Sequence, residues 1–156
     1  MRILFVCTGN ICRSPTAEAV FRHKVAQAGL AEVVTTDSAG TAGWHAGETP
    51  DPRAQQTMRK YGVDYSGVTA RQLRDADYTE FDLLLAMDEG HYRHLMANAP
   101  AAVEDKIRMF LEPVDLDGRT DVPDPYYGTM DDYELAFGLI DPACDAWLKI
   151  VETKLR

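Results

Sequence analysis

The chain has 156 residues, 46% of them apolar and 26% charged, with a formal net charge of −9. That is the composition of an ordinary globular domain, long enough to bury a core without staples, and no apolar run approaches the ~20 residues of a membrane-spanning helix. The charge excess lies in residues 112–156, which hold 11 acidic and 4 basic side chains, and this argues against nucleic acid or an anionic lipid surface as the main partner.

The opening Met1-Arg2-Ile3-Leu4-Phe5-Val6 is too short for the core of a secretory signal. Three cysteines do not make a disulfide framework, so a cytoplasmic, reducing setting is expected. With no repeat or linker, residues 1–156 are expected to form one domain. Ile3–Val6 reads as a strand buried on both faces. A turn over residues 8–14 follows. Pro15 then stands where a helix opens, its apolar positions Ala17, Val20, Phe21, Val25 and Ala28 at helical spacing and Gly29 closing it. Val33–Thr36 is a β-branched run and predicts a second strand. Asp51-Pro52 predicts a capped helix that Gly62 ends. Phe81–Met87 predicts a third strand, with a helix to about residue 97, and Ile107–Leu111 a fourth. Residues 112–129, rich in Pro, Gly and Asp, predict a long functional loop. In the last segment Ile140, Cys144, Trp147, Val151 and Leu155 keep helical register, Cys144 being read as core. Pro142 predicts a kink or restart there, with Asp141 as cap. The alternation of strands and helices predicts an α/β fold, a parallel sheet with helices on both faces. Ligands in such sheets bind beyond the carboxyl ends of the strands.

The turn after the first strand, Cys7-Thr8-Gly9-Asn10-Ile11-Cys12-Arg13-Ser14, is built as an anion cradle. Backbone N–H groups of residues 8–13 can converge on one point, and Gly9 and Asn10 tolerate positive φ. The helix N-terminus adds its positive pole, and the Arg13 fork grips two phosphate oxygens. A thiol in that field is favoured as thiolate, so Cys7 is aimed at phosphorus as a nucleophile. The loop lacks Gly-Lys-Ser/Thr and is not a nucleotide-binding loop. His91 and His94 stand three apart on a helix without a third ligand pattern, so no metal site is expected, and no cofactor is called for.

Val6 to Pro15, followed by Ala17-Glu18, resembles the signature loop of the low-molecular-weight protein tyrosine phosphatases. So do Asp37-Ser38-Ala39-Gly40-Thr41, the Trp44 to Gly47 loop, Asp51-Pro52-Arg53, Ala70-Arg71-Gln72, Met87-Asp88 and Asp124-Pro125-Tyr126-Tyr127, in order along nearly the whole chain. The resemblance implies a four-stranded parallel sheet and metal-free hydrolysis of phosphotyrosine through a phosphocysteine. It implies phosphotyrosine-containing proteins as partners, a cognate tyrosine kinase among them, and a monomer is expected. Cys7 is then the nucleophile, Arg13 the phosphate ligand, and Thr8, Gly9, Asn10, Ile11, Cys12 and Ser14 the rest of the cradle.

A phenolate leaving group needs a proton, and Asp121 and Asp124 both lie on the long loop. Position alone does not choose between them, whereas the resemblance selects Asp124. Trp44, Tyr126 and Tyr127 match positions that wall the family's cleft, although aromatic residues pack equally well in ordinary structure. Asp88 either orients Arg13 or caps the following helix. Cys12 is either a resolving thiol for an oxidised Cys7 or a small apolar filler. Many family members carry a histidine where this chain has Val68, which leaves open how Asn10 is held. Two related activities share the loop. Arsenate reductases add redox cysteines that residues 83–99 lack. Protein-arginine phosphatases carry threonine where this chain has Ile11, a side chain that either faces the substrate or turns inward. A non-catalytic phosphate-binding module would lack Cys7 or Asp124.

Overall fold

The apolar run at the amino terminus forms strand β1 (Arg2–Cys7), and the computed structural model, which describes residues 1–156, places it inside a four-stranded sheet. β2 (Thr35–Gly40), β3 (Leu83–Ala86) and β4 (Ile107–Met109) complete the order β2-β1-β3-β4, every pair parallel. Side chains alternate along a strand, and both faces of β1 are covered. Ile3 and Phe5 enter one core with helices α1 (Arg13–Gln27) and α5 (Met130–Leu155). Leu4 and Val6 enter a second core with Tyr78, Phe81 and Leu95, beneath α3 (Asp77–Glu80) and α4 (Glu89–Asn98). The continuous apolar run is thus explained by burial on both sides. Helix α2 (Pro52–Lys60) packs on α5, capped as expected by Asp51, whose carboxylate accepts the Arg53 N–H at 2.8 Å. No helix is long and apolar enough to cross a membrane.

Four boundaries differ from expectation. β2 lies at 35–40 rather than 33–36: Val33 is half exposed in a turn, and Asp37-Ser38-Ala39-Gly40 pairs with Leu4–Cys7. Pairing with β1, not β-branched content, sets this strand. α1 begins at Arg13 with Cys12 at its N-cap, so Pro15 sits within the first turn. β3 and β4 are shorter than their apolar runs because those runs continue as buried turns through Met87, Phe110 and Leu111. Helix α3 and a 3₁₀ turn at Ala101–Lys106 are too short for periodicity to reveal.

The expected restart at Pro142 is absent, for α5 continues through it as one helix of 26 residues. Asp141 caps nothing; with Asp145 it holds Lys24 of α1 at 2.9 and 2.8 Å. A proline in a helix interior costs ~3 kcal/mol through its missing N–H and its clash with the carbonyl four residues back. Packing offsets this, because both halves bury one stripe: Tyr133, Phe137 and Ile140 before the proline, Cys144, Trp147 and Val151 after it. Trp147 also donates its indole N–H to the Phe110 carbonyl at 2.6 Å, and Cys144 is core as expected. Pro142→Ala should therefore stabilise the protein by ~1–3 kcal/mol, raising the melting temperature by roughly 2–4 °C per kcal/mol. A calorimetric midpoint at or below that of the parent would show that the ring's own packing outweighs the missing hydrogen bond.

Candidate active site

β1 delivers Cys7 to the carboxyl edge of the sheet, and the loop to α1 curls around its sulfur. The loop's carbonyls are tied outward: Cys7 O accepts from Thr41 N–H at 2.9 Å, Thr8 O from Ala42 at 3.0 Å and Ile11 O from Asp51 at 2.8 Å. The Thr16 hydroxyl takes the Cys12 carbonyl at 2.7 Å. The N–H groups of Gly9, Asn10, Ile11 and Cys12 have no backbone acceptor and are left for the cleft. Of the two residues expected to take positive φ, only Asn10 does, at 58°. Gly9 serves differently, since a Cβ there would meet His45 Cδ2 at 3.1 Å. Gly40 at the end of β2 permits a close backbone approach, where a Cβ would lie 2.5 Å from the Thr8 carbonyl oxygen.

Asn10 is 1% exposed and its amide is fully engaged. Oδ1 accepts the Arg71 N–H at 3.0 Å, which orients the group. Nδ2 donates to Ser14 Oγ at 2.8 Å and to Ser38 Oγ at 2.9 Å. Ser38 in turn donates to Glu18 Oε1 at 2.6 Å. Ser14 Oγ accepts from Asn10 and lies 2.9 Å from Cys7 Sγ, to which it donates when the sulfur is a thiolate. Val68 is buried in the core, and Asn10 is satisfied without a histidine there. Burial pushes the Glu18 carboxyl up to about 7.

Arg13 is buried, and Nη1 donates to Asp88 Oδ2 at 2.8 Å and to the Val122 carbonyl at 3.0 Å. Asp88 fills both roles weighed for it, since Oδ1 also caps α4 through the His91 N–H at 3.0 Å. Burial pushes the Asp88 carboxyl up, but the His91 N–H and the Arg13 guanidinium outweigh it and hold the group below the usual carboxylate range. His91 was not singled out for this site, yet its Nε2 lies 2.8 Å from Thr8 Oγ1. Its Nδ1 accepts the Asp88 N–H at 3.2 Å, so a neutral ring carries its proton on Nε2 and donates to Thr8. Nδ1 also lies 3.1 Å from Asp88 Oδ1, an ion pair only if the ring is charged. Burial, reinforced by Arg13, lowers His91 to about 4 and keeps it neutral.

The two loop aspartates are separated by position. Asp124 lines the cleft, half exposed, with Oδ2 3.9 Å from Arg13 Nη2. Asp121 is directed to α4, where Oδ1 accepts the Glu89 N–H at 3.0 Å. Trp44, Tyr126 and Tyr127 all line the cleft with Cys7, Ile11 and Arg13, and Trp44 is 77% exposed at its mouth. His45 also lines it, hydrogen-bonded to Glu48 at 2.5 Å and edge-on to Tyr126; its place next to Trp44 was the only sequence signal. Cys12 is buried, bordering the cleft and 3.2 Å from the Tyr133 hydroxyl, and burial pushes its thiol up to about 12.

A cradle of free N–H groups and a guanidinium, with a hydrogen-bonded sulfur at its base and a carboxyl opposite, can bind a phosphoryl group and attack it. The model of the family described as low molecular weight phosphotyrosine protein phosphatase matches residues 2–156. A low molecular weight protein-tyrosine-phosphatase of Streptomyces coelicolor is 43% identical, over 99% of this chain and 96% of its own length. The human low molecular weight phosphotyrosine protein phosphatase is 40% identical, over 94% and 93%. The crystal structure of YfkJ from Bacillus subtilis superposes with a TM-score of 0.94 at 37% identity, covering 100% of this chain and 97% of that one. Wzb from Vibrio vulnificus, solved with benzylphosphonate, matches at 0.82 and 34%, over 95% and 97%. The chain belongs to the low molecular weight phosphotyrosine protein phosphatase family and is a protein-tyrosine-phosphatase.

Among the shifted buried groups, His91 and Glu18 oppose one another in their effect on stability. His91, lowered to about 4 from 6.5, contributes stability present above pH 6.5 and lost as pH falls towards 4. Glu18, raised to about 7 from 4.5, contributes stability present below pH 4.5 and lost as pH rises to 7. The whole-protein profile mixes these, so the difference from a variant is the informative quantity. Relative to His91→Gln, the parent should lose on the order of 3 kcal/mol between pH 6.5 and 4. Urea denaturation at several pH values measures this, and a pH-independent difference would rule out the neutral ring.

Proposed function

We propose that residues 1–156 act as one catalytic domain that hydrolyses phosphotyrosine in proteins through a cysteinyl-phosphate. The observation that carries this reading is the Ser14 hydroxyl directed at Cys7 Sγ beneath unpaired loop N–H groups, with Arg13 and Asp124 lining the same cleft. The Cys7 thiolate attacks phosphorus in line with the departing phenolate, and Asp124 in its acid form donates the proton that the leaving oxygen requires. Asp124, now a carboxylate, takes a proton from the water that attacks the phosphocysteine, which releases phosphate and regenerates the thiolate. Arg13 and the loop amides bind the three equatorial oxygens as their charge redistributes. Asp88 and the Val122 carbonyl fix the guanidinium for that task. Thr8, Gly9, Asn10, Ile11, Cys12 and Ser14 form the cradle. The substrate ring lies among Trp44, Tyr126 and Tyr127, on the Ile11 hydrocarbon. Benzylphosphonate, the ligand of the Vibrio vulnificus relative, joins a phenyl ring to phosphorus through one methylene and so stands in for a phenyl phosphate.

We further propose Cys12 as a resolving thiol: peroxide oxidises Cys7 to the sulfenic acid, and the Cys12 sulfur then displaces water to close a disulfide. A cytoplasmic monomer acting on phosphotyrosine proteins, a cognate tyrosine kinase among them, fits the three free thiols and the acidic surface.

Steady-state kinetics on aryl phosphates of graded leaving-group acidity test the roles. Cys7→Ser should abolish turnover yet retain oxyanion binding. Asp124→Ala should slow poor leaving groups by ~10²–10⁴-fold and activated ones far less. A uniform loss, or a larger effect from Asp121→Ala, would assign the acid elsewhere.

Ile11 lines the cleft and packs partly on the core, and its hydrocarbon suits a phenyl ring better than a guanidinium. Ile11→Thr should shift the preference towards phosphoarginine by roughly 5–150-fold, measured as relative kcat/KM on matched peptides. Faster phosphoarginine hydrolysis by the parent would overturn the phosphotyrosine assignment.

A further inference from the structure

Beyond His45 the active cleft opens into a groove of about 540 Å³ that shares Ile11, His45 and Tyr126 with it. The outer wall of the groove is the segment from Gly47 to Pro52, between β2 and α2. Backbone bonds fix this wall before any ligand arrives. Gly47 N–H donates to the Ala70 carbonyl and Ala70 N–H to the Glu48 carbonyl, both at 2.8 Å, and Asp51 N–H donates to the Ile11 carbonyl at 2.8 Å. Gln55 Nε2 holds the Pro50 carbonyl at 2.6 Å. A protein substrate with its phosphotyrosine on Cys7 carries polypeptide on both sides of the ring. Successive Cα atoms are 3.8 Å apart, so a groove that shares three residues with the cleft meets the side chain next to the phosphotyrosine.

The charges in the groove do not balance. Asp51 is matched by Arg53, Nε to Oδ1 and Nη2 to Oδ2, each at 3.0 Å. No lysine or arginine lines the groove. The Glu48 carboxylate meets only the His45 ring, through Oε2, and its Oε1 is left without a protein partner. A neutral ring gives the carboxylate a hydrogen bond and leaves its charge uncompensated. The Glu48 side chain is 59% exposed, so a cation reaches it without the desolvation cost of a buried pair. We propose that this groove is the subsite for the residue adjacent to phosphotyrosine, and that Glu48 selects a lysine or arginine there. This rests on the reading of the cleft as the seat of phosphotyrosine. Glu48 attracts a cation and repels a carboxylate at the same place, so discrimination works in both directions. The contact lies away from phosphorus and is made equally in ground and transition states, which moves KM and leaves kcat unchanged.

Steady-state kinetics on matched phosphotyrosine peptides test this, with lysine or glutamate next to the phosphotyrosine on its amino or its carboxyl side. Within one enzyme, the ratio of kcat/KM for the lysine and glutamate peptides cancels any change at the cradle itself. In the parent that ratio should favour lysine by about 2- to 10-fold on at least one side, carried by KM, and should shrink as salt is added. Glu48→Gln should bring the ratio close to one, and Glu48→Lys should invert it. Glu32→Gln removes the same charge from an exposed turn before β2, at the amino end of the sheet, and should keep the parent ratio. A parent ratio of one on both sides, or a preference for glutamate, overturns the inference. An equal loss in Glu32→Gln also overturns it, because the preference then belongs to the net charge of the chain. So does a ratio carried by kcat, which places the effect at phosphorus. Failure of the parent to hydrolyse any of the peptides would overturn the phosphotyrosine reading, whereas equal turnover of all of them overturns the groove alone.

Discussion

The Asn10 side-chain amide is the constraint on which the anion cradle depends. It sits where the chain turns through positive φ, a conformation that disfavours most side chains and that Asn tolerates better than most. From there it reaches the start of α1 through Ser14, β2 through Ser38 and the segment after α2 through the Arg71 N–H. Three separate pieces of chain are thereby fastened to one loop residue. With the loop carbonyls engaged outward, the N–H groups are held open without cost at the moment an oxyanion arrives, which is what preorganisation means in physical terms.

A second set of bonds holds the guanidinium. Asp88 joins Arg13 to the N-terminus of α4, and His91 carries the connection on to Thr8 at the other end of the cradle. A buried ion pair is weak evidence for stability, because desolvation offsets much of the attraction. The value of this one lies in geometry: Nη1 is fixed by two acceptors, so the rest of the fork has few orientations left. The acidic chain supplies little long-range attraction for a phosphate, and recognition falls to these short-range contacts.

What the residues disclosed follows from how local each signal is. The cradle was legible because a short segment must itself supply nucleophile, amides and arginine, so chemistry and spacing coincide from Cys7 to Ser14. β1 and β3 were legible because burial on both faces demands continuous apolar runs. β2 was misplaced because Asp37-Ser38-Ala39-Gly40 is a strand by virtue of its neighbour, a fact absent from its own composition. Pro142 misled for a related reason: the stripe that carries α5 through it is stabilised by contacts with α1 and the sheet, which no local propensity contains. Asp121 and Asp124 are equivalent by position on the long loop, and only the fold separates their surroundings, Asp124 lining the cleft beside Arg13 and Asp121 accepting from the first N–H of α4. His91 and His45 acquire their places solely from the folding of distant segments onto the loop.

The two tryptophans occupy opposite extremes of environment. Trp44 stands in solvent at the rim of the cleft, whereas Trp147 is 2% exposed with its indole bonded to Phe110. Their fluorescence is therefore separable without any label. Trp44 emits from a wet surface, within reach of an ionic quencher and of any ligand that seats beside it. Trp147 emits from an apolar, unquenchable interior until the core opens. One chain thus carries a reporter of occupancy and a reporter of folding, and a quencher that silences the first leaves the second to be read alone.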